Sequence, residues 1–104
     1  MGKIPRVLEK SVVKKIRAFL DEQDDLYYFV KEAKSLRGLP DLIICKRGVF
    51  IALEVKRSAS EIDSKRSKLQ KYHIDRINKA GGYAFFIFPE NMESVLSIVS
   101  KLCL

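Results

Sequence analysis

The fold is decided by GLPDLIICKRGVFIALEVK, residues 38–56, in which two apolar runs begin or end beside charged residues. Both runs are rich in β-branched and aromatic residues, and Lys46-Arg47-Gly48 separates them. This pattern predicts two antiparallel strands joined by a tight hairpin. Asp41, which opens the first run, and Glu54, near the end of the second, should then lie at neighbouring strand ends.

Side chains alternate along a strand, so Glu54 and Lys56 should project from one face beside Asp41. Two carboxylates held that close repel each other unless a cation lies between them, and such oxygen ligands suit Mg²⁺ or Mn²⁺. The side chain of Lys56 could orient and deprotonate an attacking water. The alternative is a solvated aspartate and a surface Glu/Lys pair. The other residues divide between the faces, with Phe50 and Ala52 beside Glu54 and with Ile51, Leu53 and Val55 opposite.

Pro40-Asp41 followed by Glu54-x-Lys56 resembles the PD-(D/E)XK nuclease superfamily. Glu-x-Lys alone has little specificity in a chain with 32% charged residues, so the resemblance depends on the whole arrangement.

The wider frame is similar to the VRR-NUC type, a small nuclease domain that occurs alone in phages and bacteria and fused in eukaryotic DNA-repair nucleases. The similarity covers roughly residues 7–90. It adds three features to the motif: Gly38 before Pro-Asp, Ser67-x-x-Gln70 on a helix, and Ala80-Gly81-Gly82 at the end of that helix.

Periodicity predicts an α/β fold with a four-stranded mixed sheet flanked by helices, in the order α-β-β-β-α-β-α. The resemblance implies that this fold is restriction-endonuclease-like. We expect a single domain over residues 1–104, because a chain of 104 residues can form one core but not two. A polar loop at 57–66 precedes the second helix. The nearly unbroken apolar run at 83–88 predicts a strand buried on both faces, and Asn91 should cap the last helix.

Composition favours a polyanionic partner. The chain carries 20 Lys and Arg against 13 Asp and Glu, a net charge of +7, which suits nucleic acid. A merely soluble basic surface is the alternative. No apolar run reaches the length of a membrane span and no signal peptide is evident, so we expect a cytoplasmic protein of a bacterial or phage-infected cell. Cys45 and Cys103 have no metal or disulfide spacing, and we expect both to be small apolar fillers.

Glu9 lies in the middle of the apolar arc of the first predicted helix, between Ile16 and Leu20 on the helical wheel. A carboxylate on an apolar face is costly without a partner. The resemblance implies that this glutamate points at the metal. Otherwise Glu9 is a first-turn acid stabilised by the helix dipole.

Gln70 has two possible roles. Ser67-x-x-Gln70 fits a capping box, in which the amide reaches back to the start of the helix. Gln70 also lies on the core-facing arc, and the resemblance implies that it supports the catalytic lysine or the attacking water. His73, on the same arc, is more typical of a hydrogen-bonded packing residue, and we leave it out of the catalytic set.

Four basic residues around the motif could hold a scissile or flanking phosphate, although ordinary loop solubility would also explain them. They are Lys34 and Arg37 before Asp41, and Arg57 and Arg66 after Lys56.

The resemblance implies an Mg²⁺- or Mn²⁺-dependent, structure-selective DNA endonuclease that resolves four-way (Holliday) junctions as a homodimer. The implied catalytic residues are Asp41, Glu54, Lys56 and Gln70. The implied metal ligands are Glu9, Asp41, Glu54 and the backbone carbonyl of Val55, which lies between the two motif residues. Three alternatives stay open: a catalytically silent nucleic-acid-binding subunit, a general nickase on duplex or flap DNA, and a small protein-interaction module.

Overall fold

The computed structural model describes residues 6–31, 38–65 and 67–103, with side chains described from residue 10 onward. Its elements follow the predicted order α-β-β-β-α-β-α, with a short 3-10 helix inserted in the 57–66 loop. The strands are β1 (Leu26–Val30), β2 (Leu42–Lys46), β3 (Val49–Val55) and β4 (Tyr83–Ile87), and the helices are α1 (Arg6–Asp21), α2 (Ser67–Lys79), α3 (Met92–Lys101) and the 3-10 helix Ala59–Asp63.

The strands form one mixed sheet in the order β1-β2-β3-β4. The pairs β1–β2 and β2–β3 are antiparallel, whereas β3–β4 is parallel because the chain crosses over through α2 between them. The predicted hairpin is confirmed: Arg47 and Gly48 have φ of 49° and 85°. Two consecutive positive φ angles are typical of a type I′ turn, whose twist matches that of the paired strands.

Helices cover both faces of the sheet. On one face α1 and α3 pack on Ile51, Leu53 and Val55. On the other face α2 packs through Ile74 on Ala52 and on Ala84 of β4. The alternation predicted for β3 is therefore confirmed, and Glu54 belongs to the face that α2 covers. Within the described residues, no helix is both long and apolar enough to cross a bilayer.

The turn after α2 sets the position of β4. Gly81 has φ of 98°, its N–H donates to the Asn78 carbonyl at 3.2 Å, and the Gly82 N–H donates to the Ile77 carbonyl at 3.0 Å. These two bonds are those of a Schellman motif, so the predicted glycine C-cap is confirmed. The side chain of Asn78 then bonds both backbone groups of Ala84, which ties the start of β4 to the helix.

Two expectations about burial are wrong. β4 is an edge strand, and Tyr83 is 41% exposed instead of buried. Cys45 and Cys103 are both exposed. Cys45 pairs with Phe50 in the sheet. Both side chains lie on the face on which α2 packs, in a part that the helix does not cover.

Two expectations about local structure also need correction. Asn91 precedes α3, but its side chain makes no cap bond; it accepts from the Phe88 N–H and donates to the Phe86 carbonyl, and so binds the end of β4 instead. The segment after Lys56 is not wholly a loop. Its 3-10 helix is held to the start of α2 by the Ser67 hydroxyl, which donates to the Glu61 carbonyl at 2.7 Å.

Candidate active site

Strand register brings the two motif carboxylates together. The last β2–β3 pair is Leu42 with Leu53, so Asp41 and Glu54 come next, facing each other at the same end of the sheet. The Val55 N–H donates to Oδ2 of Asp41 at 2.8 Å, and the Lys31 N–H donates to the Asp41 carbonyl at 2.7 Å. Asp41 is therefore fixed by backbone bonds from both neighbouring chain segments.

Glu54 is a buried acid with one unsatisfied oxygen. The residue as a whole is only 4% exposed. Oε2 accepts a hydrogen bond from Nε2 of Gln70 at 3.0 Å, whereas Oε1 is buried and has no hydrogen-bond partner among the described residues. A buried acceptor without a donor is costly and needs a proton, a water or a cation.

Burial raises the pKa of Glu54 from its usual 4.5 to about 9. The negative charge of Asp41 acts in the same direction, as does the hydrogen bond that the Asp41 carboxylate can accept from a protonated Glu54. The positive charges of Lys56 and Lys31 oppose the shift but do not outweigh it. In the metal-free protein at neutral pH, the carboxyl pair therefore holds a proton.

Gln70 links the lysine to this acid. Its Oε1 accepts a short hydrogen bond from the Lys56 ammonium, while its Nε2 donates to Glu54. Lys56 is 9% exposed, and its ammonium lies over the ring of Phe86 at 5.9 Å from the centroid. One amide thus orients both motif side chains. The capping-box interpretation of Gln70 is wrong, because its side chain points to the sheet and Ser67 bonds Glu61 instead.

Lys31 is a charged neighbour of the site that the motif analysis missed. Its ammonium donates to the Leu39 carbonyl at 2.8 Å, which anchors the chain just before Asp41, and its charge lowers the pKa of Glu54. The signal that could have identified it is the register of β1: Val30 pairs with Leu42, so Lys31 must lie beside Asp41.

The predicted phosphate-binding residues are only partly visible. Arg57 is bonded to Glu61 through its backbone N–H at 2.7 Å and through Nε at 2.9 Å, and the side-chain bond is the main reason that the pKa of Glu61 is lowered. Lys34, Arg37 and Arg66 lie outside the described residues.

Glu9, a predicted metal ligand, lies in the first turns of α1, but its side chain is outside the described part of the structure. The roles of Glu9 and of the four basic residues stay predictions.

The carboxyl pair fits a divalent cation. The described residues contain no group of three metal-ligating side chains, but Mg²⁺ is commonly held by one or two carboxylates together with waters and substrate phosphate. Asp41 and Glu54 supply two carboxylates, and the orphaned Oε1 of Glu54 is an acceptor that a cation would satisfy. The carbonyl of Val55, predicted as a further ligand, belongs to the residue whose N–H already binds Asp41.

Comparison with solved structures identifies a similar fold. A protein described as a VRR_NUC domain protein superposes with a TM-score of 0.64, over 89% of this chain and 85% of that chain, at 22% sequence identity. No family model and no curated protein matched the chain in sequence. The likeness confirms the fold that the resemblance predicts, an α/β domain with a mixed four-stranded sheet flanked by helices.

Proposed function

We propose that this protein is a nuclease that hydrolyses phosphodiester bonds of DNA with the help of Mg²⁺ or Mn²⁺. The observation that carries the proposal is the buried arrangement of Asp41, Glu54, Gln70 and Lys56 at one end of the sheet, with an acceptor oxygen of Glu54 left without a partner. The fold shared with a VRR_NUC domain protein and the net charge of +7 support it.

Asp41 and Glu54 would hold the cation, with Glu9 and the Val55 carbonyl as further ligands. When bound, a divalent ion stabilises charge on the phosphoryl oxygens and lowers the pKa of water. Binding requires Glu54 to lose the proton that the fold otherwise retains. Lys56 is positioned by Gln70, and its ammonium would orient the attacking water in line with the bond to be cut. Burial of Lys56 and Glu54 keeps bulk water from competing for these contacts.

Incubation of the purified protein with labelled duplex, flap and four-way-junction DNA tests this. Each substrate is tested with Mg²⁺, with Mn²⁺ and with chelator. Glu54→Gln is the inactive variant, and Asp63→Asn, which removes a 90% exposed carboxylate that pairs with Lys71, is the matched control. We expect cleavage by the wild type and by Asp63→Asn only with metal. Cleavage that persists in chelator would refute the metal mechanism, and salt-sensitive binding without cleavage would indicate a silent binding subunit.

The finer part of the proposal is that the active unit is a homodimer that resolves four-way junctions. The described residues of one chain form one such site, which would cut one strand, whereas resolution requires two symmetric cuts on opposite strands. A two-fold dimer supplies that symmetry, and it is the commonest assembly of identical chains. α3 offers an apolar surface for pairing, since Ile98 is 44% exposed; the aromatic strand β1 offers another.

Light scattering at micromolar concentration, combined with mapping of the cuts in a junction, tests the dimer. We expect twice the monomer mass and paired cuts at symmetric positions. A monomer that nicks linear duplex as readily as a junction would leave the nuclease proposal intact and refute the junction preference.

A further inference from the structure

A cavity of about 370 Å³ opens beside the carboxyl pair, on the face of the sheet that α2 covers only in part. Its floor is formed by Phe29 of β1, Ile43 of β2 and Phe50 of β3. Its walls are the Leu39-Pro40 segment on one side and His73 and Ile77 of α2 on the other. Lys31 completes the lining.

The two phenylalanine rings in this cavity are only about half covered by the protein. Phe29 is 50% exposed and Phe50 is 47% exposed. Both project from the face that carries Glu54. Phe29 pairs with Ile43, which packs with α2, and Phe50 lies four residues before Glu54 on β3, an even number that keeps it on the same face. Aromatic side chains left half in water beside a cavity indicate a binding surface more often than a packing defect.

The cavity and the carboxyl pair share a wall. Leu39 and Pro40 line the cavity and lead directly into Asp41. Ile43, on its floor, lies two strand residues from Asp41, a distance of about 7 Å. That is close to the separation of neighbouring phosphates in an extended nucleic-acid strand. A nucleotide whose phosphate lies at Asp41 can therefore place its own base, or that of its neighbour, in the cavity.

We infer that this cavity binds one unpaired nucleobase of the nucleic-acid substrate, stacked on Phe29 and Phe50. The inference rests on the proposed function and adds that a nucleotide beside the cut is unpaired in the bound substrate. A planar base fits a small apolar cavity with aromatic floor residues, and Lys31 at its lining supplies a cation toward the phosphate side. A base stacked and paired within a duplex must first be flipped out to enter such a site, so an already unpaired base should bind more tightly.

Charge favours nucleic acid over a second copy of this chain as the occupant. A chain of net charge +7 attracts a polyanion, and Lys31 in the lining places a positive charge at this cavity. Of the two apolar surfaces available for pairing, the aromatic face is thus assigned to the base, and α3 is left for the dimer.

Binding measured by fluorescence anisotropy in chelator tests the inference without any cleavage. The probes are three duplexes of equal length: one fully paired, one with a single bulged nucleotide, and one with a bulged abasic site, which keeps the backbone and its charge but lacks the base. The variants are Phe29→Leu and Phe50→Leu, which keep an apolar side chain. Tyr83→Leu is the matched control, since Tyr83 is 41% exposed but starts the opposite edge strand and lines no part of the cavity.

We expect the wild type and Tyr83→Leu to bind the bulged base roughly 5- to 150-fold more tightly than the abasic bulge, the range typical of one stacked base. Phe29→Leu and Phe50→Leu should lose most of this preference while keeping their affinity for the abasic bulge. Equal wild-type affinity for both bulges would overturn the base site alone, and absence of binding to all three DNAs would overturn the proposed function as well. A change from dimer to monomer mass in the phenylalanine variants would assign the face to a second copy and overturn the inference.

Discussion

Replacing Glu54 by glutamine should remove most of the pH dependence of stability in the metal-free protein between pH 5 and pH 7.5. The fold raises the pKa of Glu54 from 4.5 to about 9, mainly through burial. Between those values the folded state holds a proton that the unfolded chain has released, so stability is greatest at low pH and falls as pH rises. Each pH unit costs about 1.4 kcal/mol. The loss from pH 5 to pH 7.5 is therefore about 3 kcal/mol, as long as the folded pKa stays above that range.

Glutamine is the matched replacement because it is a neutral isostere of the protonated acid and keeps an oxygen for the Gln70 amide. Urea unfolding in chelator at several pH values measures the effect. For a domain of this size, about 3 kcal/mol corresponds to a change in melting temperature on the order of 10–20 °C. The variant should show a nearly flat profile over the same interval. Parallel profiles in the two proteins would mean that Glu54 is ionised in the fold, and the reasoning from burial would be wrong. Added Mn²⁺ should stabilise the wild type more at pH 8 than at pH 6, because the ion must displace the proton.

Four further substitutions test the roles of single residues. Asp41→Asn should reduce cleavage to background while the protein still folds, because asparagine keeps an oxygen for the Val55 N–H but loses the ligand charge; near wild-type turnover would exclude Asp41 from the site. Lys56→Ala should also lose cleavage but keep Mn²⁺ binding by calorimetry, since an ammonium is not a ligand, and loss of metal binding would give the lysine a structural role. Gln70→Ala should lower the rate about 10- to 100-fold, the usual cost of removing a group that orients a metal ligand; an unchanged rate would make the amide dispensable. Glu9→Gln should weaken metal affinity less than the strand variants and be rescued by more Mn²⁺, whereas a lower melting temperature with unaltered metal dependence would identify a helix-dipole or packing residue.

The sequence by itself determined the strands, the hairpin and the side of the sheet on which each motif residue lies. These features follow from local rules: alternation along β3 separates Glu54 from Val55, and Arg47-Gly48 allows the two positive φ angles of the turn. Once the hairpin is in register, Asp41 must face Glu54. The glycines after α2 likewise fixed where the helix ends, because a Schellman motif needs only residues close in the chain.

The tertiary structure alone decided which hydrogen bonds connect the residues of the site and which surfaces are exposed to solvent. Gln70 could have capped its own helix; packing of α2 against β3 instead brought its amide between Lys56 and Glu54. The raised pKa of Glu54 depends on burial by elements distant in sequence. Cys45 and Phe50 are exposed for a related reason, since α2 packs around Ala52 and Ala84 and leaves the sheet partly uncovered near the β2–β3 turn, where these two residues lie. Periodicity specifies the two faces of a strand, but only long-range packing determines which part of a face is buried.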